Sequence, residues 1–174
     1  MVDKILILGS NGGLGKQIVQ DFYKTKFKIF LVNRNFIDIE QNFKKLKNFI
    51  LRIKPNYIIN CIAKTGTEPC ASDPLLAINV NSIFLFKLVK IANKIHSRLI
   101  HFSTDAVFHG RSINKVYGEA DQPCPITVYG QSKFFGEILI KKYSNALIIR
   151  LPILFGITQK KQIIDRLCSK LFRG

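Results

Sequence analysis

Five short apolar runs alternate with longer segments of helical period. KILILG (4–9), FKIFLVN (27–33), NYIINCIA (56–63), SRLIHFST (97–104) and NALIIRLPI (145–153) are the runs. They are continuous β-branched or aliphatic stretches, the pattern of strands covered on both faces of a parallel sheet. Between them lie 13–24, roughly 40–53, roughly 73–94 and 128–143, each long enough for a helix. The second of these puts Phe43, Leu46, Phe49, Ile50 and Ile53 on one face, and Pro55 follows as a stop. Such alternation predicts βαβ units with right-handed crossovers, an α/β fold built as a doubly wound parallel sheet. A chain of 174 residues suits one domain over 1–174 and buries about 70% of its unfolded surface. The longest irregular stretch, 105–127, carries Gly110, Gly118, Pro123 and Pro125, and long loops in such sheets are often functional.

Charge narrows the ligand class. Lys and Arg number 27 against 11 Asp and Glu, a formal +16. The basic residues are spread along the chain without a block of like charge, so a pull on anionic nucleotides is expected and nucleic acid is not. No apolar run reaches the roughly 18 residues of a membrane span, and MVDKILILGS leads directly into a strand pattern. Cys61, Cys70, Cys124 and Cys168 form no CxxC pair and no metal spacing with His96, His101 or His109. The expectation is therefore a cytoplasmic protein with reduced thiols, no metal and no membrane partner.

Gly9, Gly12 and Gly15 in ILILGSNGGLGKQIV follow the first strand and open the first helix. Glycine at such positions permits a tight turn, lets backbone N–H groups approach a pyrophosphate, and lets helix and strand pack closely. At the end of the second strand, Asn33 and Arg34 stand where an NAD-selective site usually carries an acid. Arg34 could pair with a 2′-phosphate, which favours NADP(H) over NAD(H); a solvated surface arginine is the competing reading. Asp38 is the nearest acid and suits the adenine edge. Ser103, Thr104 and Asp105 follow the fourth strand, at the end where open α/β sheets place ligands; turn capping competes with function there. Tyr129 and Lys133, at i and i+4, share a helix face one turn apart. With 5 Tyr and 20 Lys, fewer than one such pair is expected by chance, so the spacing alone decides nothing. Placed after a glycine loop and a strand-end hydroxyl, it fits an acid–base pair in which an ammonium favours the phenolate.

These residues also carry a family resemblance. GSNGGLG (9–15), the DI of 38–39, PNYIINCIA (55–63), AINVNS (77–82), FSTDAVFHG (102–110), YGEADQPCPITVYGQSKFFGE (117–137) and IIRLPILFG (148–156) resemble the extended short-chain dehydrogenases/reductases, nearest the dTDP-4-dehydrorhamnose reductases. The resemblance implies a Rossmann-type fold and NAD(P)H-dependent reduction of a 4-keto deoxysugar nucleotide. The substrate would be a dTDP-sugar, for the dTDP-L-rhamnose of cell-surface polysaccharide. It implies Thr104, Tyr129 and Lys133 as catalytic triad. Gly9, Asn11, Gly12, Gly13, Leu14 and Gly15 would line the pyrophosphate loop, with Asp38 and Ile39 by the adenine. Cys61, Ile62 and Ala63 would sit beside the riboses, and Leu151 with Pro152 near nicotinamide and substrate. Asn79 matches the asparagine that holds the central helix against its strand. A regulatory subunit of methionine adenosyltransferase, which binds NADP as a partner protein, is also similar. The departures are His109 where the family usually shows Asp, RLPILFG in place of a more polar run, and an end at Gly174, one amphipathic helix past the last matched motif. The family's further segment builds the sugar-nucleotide pocket, so the expected partner is a second copy or a complementing carboxyl-terminal polypeptide.

Overall fold

The computed structural model describes residues 2–33, 43–110 and 115–154. Five parallel strands form one sheet in the order β2-β1-β3-β4-β5: β1 Lys4–Leu8, β2 Lys28–Val32, β3 Tyr57–Asn60, β4 Arg98–Thr104 and β5 Ala146–Leu151. The strand order reverses between β1 and β3. That reversal leaves a crevice at their carboxyl ends, where open α/β sheets bind ligands.

Side-chain alternation along β1 builds two cores. Leu6 and Leu8 point to one face, with Ile58, Leu99 and Val32, and are covered by α2 (Phe43–Ile53), α5 (Phe84–Lys94) and α6 (Val128–Lys141). Ile5 and Ile7 point to the other face, with Ile59, and meet Val19 of α1 (Gly13–Phe22). The second face thins towards β5, where Leu147 is 55% exposed beside half-buried Ile100, Phe102 and Ile149. The doubly wound sheet expected from the apolar runs is thus present.

Two features were not anticipated. A short helix, α3 (Thr67–Ser72), occupies the stretch after β3. The helix expected over 73–94 begins at α4 (Pro74–Ile78), capped by the Asp73 carboxylate, which accepts from Leu76 N at 3.1 Å. It then widens into a π turn at Asn79–Ile83 before α5. By length and a mean hydropathy of 1.7 the whole run Pro74–Lys94 would suit a membrane, although no single apolar stretch in the sequence suggested it. Here Phe84, Leu85, Leu88, Val89 and Ala92 are core residues, so the hydropathy reflects a central helix.

The π turn is where the central helix locks onto α6. Asn81 donates through Nδ2 to Lys64 O and Ser132 Oγ, each at 2.9 Å, and accepts from Lys64 N through Oδ1 at 2.9 Å. Ser82 Oγ donates to Ser132 O at 2.6 Å. Gly136 makes the approach possible, since a Cβ there would lie 2.4 Å from Asn81 O. The holding role expected of Asn79 therefore falls to Asn81, which is buried within the π turn, while Asn79 at its start is exposed.

Candidate active site

The glycine turn is built as its spacing predicts. Gly9 adopts φ +78°, and its amide and that of Ser10 both donate to Val32 O at the end of β2 (2.8 and 3.2 Å). Gly12 N closes the turn on Gly9 O at 2.9 Å. A Cβ on Gly15 would sit 2.2 Å from Gly9 O, so α1 meets β1 at a distance only glycine allows. α1 opens at Gly13 behind an N-cap glycine, with no side-chain cap and no acid in its first turn. The amides of Gly13, Leu14 and Gly15 are thus those of an uncapped helix start, which favours an anion. Asn11 lies exposed at the rim. On the far side of the crevice, Cys61 N donates to Leu8 O at 2.9 Å, and the backbone at Cys61 and Ile62 comes close enough that a Gly9 Cβ would lie 3.0–3.1 Å from it. Cys61, Ile62 and Ala63 therefore border the crevice opposite the turn, and Asn33 stands just past the end of β2. Arg34, Asp38 and Ile39 lie outside the described residues.

The hydroxyl and phenol come together. Thr104 ends β4; its Oγ1 accepts from Ala106 N at 3.2 Å and donates to Asp105 Oδ1 at 3.1 Å. Thr104 caps the turn, and its hydroxyl also hydrogen-bonds the Tyr129 phenol. Tyr129 reaches it because Thr127 caps α6, accepting from Gly130 N at 3.0 Å, and because Gly130 lets the helix start press on the turn after β4. A Cβ on Gly130 would lie 2.2 Å from Ala106 O. Ser103, one residue earlier, points to the opposite face, and its buried hydroxyl has no hydrogen-bond partner among the described residues. Leu151 pairs in register with Thr104 across β4 and β5.

Lys133 is 2% exposed and turned inward. Its ammonium donates to Phe102 O at 2.6 Å and lies 3.4 Å from His101 Nε2. Burial pulls its pKa down to about 8, against the nearby Glu137. The Tyr129 phenol is pushed up, chiefly by burial, with the Thr104 hydrogen bond working the other way. Burial is the largest effect on each group, raising the phenol and lowering the ammonium. The Cys61 thiol is pushed up to about 12 by burial, with Lys133 pulling the opposite way, so it stays neutral.

Sequence reasoning missed three residues at this end of the sheet. His101, buried inside a continuous apolar strand, was visible as an out-of-place polar residue. Glu137 and Arg150 form a forked pair at 2.7–3.3 Å joining α6 to β5, and nothing in their spacing announced it. Beyond Thr104 a cavity of about 350 Å³ is lined by Asp105, Phe108, Tyr117, Glu119, Arg150 and Pro152. Tyr117 stacks on Phe108 with ring centroids 4.7 Å apart, and His109 meets Tyr117 edge-on.

Comparison with known proteins follows this geometry. The model of the RmlD substrate binding domain matches residues 3–173. Methionine adenosyltransferase 2 subunit beta of Danio rerio is 31% identical over 168 residues, 90% of this chain and 50% of that protein. A probable low-salt glycan biosynthesis reductase of Haloferax volcanii is 30% identical, over 86% of this chain and 53% of that protein. The structure of dTDP-4-dehydrorhamnose reductase from Bacillus anthracis in complex with NADP superposes with a TM-score of 0.89 at 27% identity, covering 98% of this chain and 60% of that one. The chain spans about half the length of the curated relatives it matches.

Proposed function

Because the chain belongs to the RmlD substrate binding domain family, we propose that it is the dinucleotide-binding, proton-donating part of a reductase acting on a 4-keto deoxysugar nucleotide. The observation that carries this is the Tyr129 phenol held against the Thr104 hydroxyl at the carboxyl end of β4, beside a glycine turn whose helix start lacks a side-chain cap. The fit to a dinucleotide rests on the first amides of α1, which carry no side-chain cap, and on the turn at Gly9 and Gly15 that packs this helix start against β1 and the end of β3 as closely as only glycine allows.

A bound reduced nicotinamide would supply the hydride. The protein's own share is binding, orientation and a proton. The first amides of α1, at Gly13, Leu14 and Gly15, would hold the pyrophosphate, with Cys61–Ala63 along the other wall of the crevice. Thr104 would orient a carbonyl by hydrogen bonding. Tyr129, kept protonated by burial at neutral pH, would deliver its phenol proton to the carbonyl oxygen as negative charge develops there. Lys133 would offer its ammonium to ribose hydroxyls and stabilise the phenolate left behind. NADP(H) is the favoured cofactor because Arg34, with no acid beside it, stands where the 2′-position is read. The relatives extend well beyond the part this chain matches, and turnover is expected, in the cytoplasm, where a sugar-nucleotide-binding segment works alongside this part.

Titration calorimetry with NADP+ and NAD+ tests the dinucleotide site. NADPH oxidation with dTDP-4-dehydro-6-deoxy-L-mannose tests the reductase, and Tyr129→Phe should abolish any rate observed. Tight NADP+ binding without turnover, even with a complementing segment, would favour the second reading. In that reading the chain is a dinucleotide-binding partner subunit, supported by the 31% identity to methionine adenosyltransferase 2 subunit beta.

A further inference from the structure

Behind the phenol, a buried relay runs from Lys133 to the end of β3. The side chains of Asn60, His101 and Lys133 are each no more than 2% exposed. Asn60 Oδ1 accepts from Ile62 N at 3.2 Å, which turns its Nδ2 towards His101 Nδ1 at 3.2 Å. An amide nitrogen is only a donor, so Nδ1 must be the bare acceptor of a neutral imidazole and the ring proton must sit on Nε2. Nε2 faces Lys133 Nζ at 3.4 Å. A neutral amine can accept that proton, whereas an ammonium sets donor against donor. For the ammonium to be satisfied there, the ring proton must move to Nδ1. The Asn60 amide must then turn its oxygen to the ring, leaving Ile62 N without its acceptor.

We infer that His101 is a positioning residue whose tautomer is coupled to the charge of Lys133, passing that charge state to the Asn60–Ile62 backbone at the crevice edge. Ile62 N is also the atom a Gly9 side chain would strike at 3.1 Å, so the relay ends on the wall facing the glycine turn. Its surroundings do not short-circuit it. Glu137, one turn on along α6, is held by Arg150 of β5. Cys61 of the β3 end is a neutral thiol. Tyr129, one turn back, spends its phenol on Thr104. Burial, aided by Lys133, keeps His101 neutral, well below the ordinary histidine value. The relay does not rest on the reductase reading and is tested without cofactor.

Long-range nitrogen–proton NMR of the full chain labelled with ¹⁵N-histidine reads the tautomer directly, with His96→Gln and His109→Gln assigning the His101 signals. Between about pH 10 and about pH 6 the His101 proton should move from Nε2 to Nδ1 as Lys133 gains its charge. Lys133→Met should hold it on Nε2 throughout, and Asn60→Asp, which offers only acceptors, should hold it on Nδ1. A wild-type tautomer that stays fixed across the range overturns the coupling, as does a Lys133→Met protein that still switches. If the relay is found but NADP+ does not bind, the reductase reading fails and the relay stands.

Discussion

Replacing Gly130 by alanine tests whether the α6 start must touch the turn after β4. The added Cβ would lie 2.2 Å from Ala106 O and 3.0 Å from Pro125 Cβ, more than an ångström inside ordinary contact with a backbone oxygen. The offending atom belongs to the main chain, so no rotamer change relieves it. Helix or turn must move. Overpacking of this type costs about 1–3 kcal/mol and sometimes more, while alanine returns at most about 1 kcal/mol of helix propensity. The net expectation is a loss of about 1–2 kcal/mol, read as a lower urea midpoint at unchanged slope. Gly118→Ala is the control, since among the described residues its Cβ would meet only Asp121 Oδ2 at 3.9 Å. The same displacement should part Tyr129 from Thr104 and alter the spectroscopic titration of the phenol. A Gly130→Ala protein as stable as the wild type would refute the claim that glycine is what sets this contact.

Other outcomes follow from neighbouring groups. Lys133 is depressed to about 8 from an unfolded value near 10.5, so the unfolded chain binds more protons between those values and stability should rise with pH across that window. The penalty is in full force below about pH 8, at roughly 3 kcal/mol for a group this buried, and unfolding of Lys133→Met alongside wild type should show it flattened. Glu137→Gln should cost about 1–3 kcal/mol in chemical denaturation, because it leaves the Arg150 guanidinium half of a forked pair. Asn81→Leu should cost at least about 2 kcal/mol in the same assay, stranding Lys64 N and O. Iodoacetamide with mass spectrometry should label exposed Cys124 well before Cys61, which is half-buried and whose thiol is held neutral.

The strands were legible because each is a short apolar run, and two-sided burial leaves that mark whatever the rest of the chain does. The glycine turn was legible because glycine at Gly9 and Gly15 answers local geometry. The phenol's environment was not. Tyr129 and Lys133 share a helix face, yet which groups surround each depends on β3 and β4, far away in the chain, so the lysine's inward turn towards Phe102 and His101 could not be seen. The π turn was equally hidden, since one extra residue in a helix changes which asparagine faces α6 without changing composition. Asn79 carried the family pattern while Asn81 carries the hydrogen bonds. His101 stood in plain sight as a polar residue in an apolar strand, and its two neighbours gave it meaning only once folded.

Among the described residues β5 is one of the two edge strands of the sheet, opposite β2, and its outer backbone row is open to an incoming chain. Arg150 of that strand grips Glu137, one turn past Lys133 on the helix that also bears Tyr129. Whatever docks along that rim would pull on the Tyr129 helix through a stiff two-point tether, so docking at the edge and the position of the phenol share a mechanical linkage.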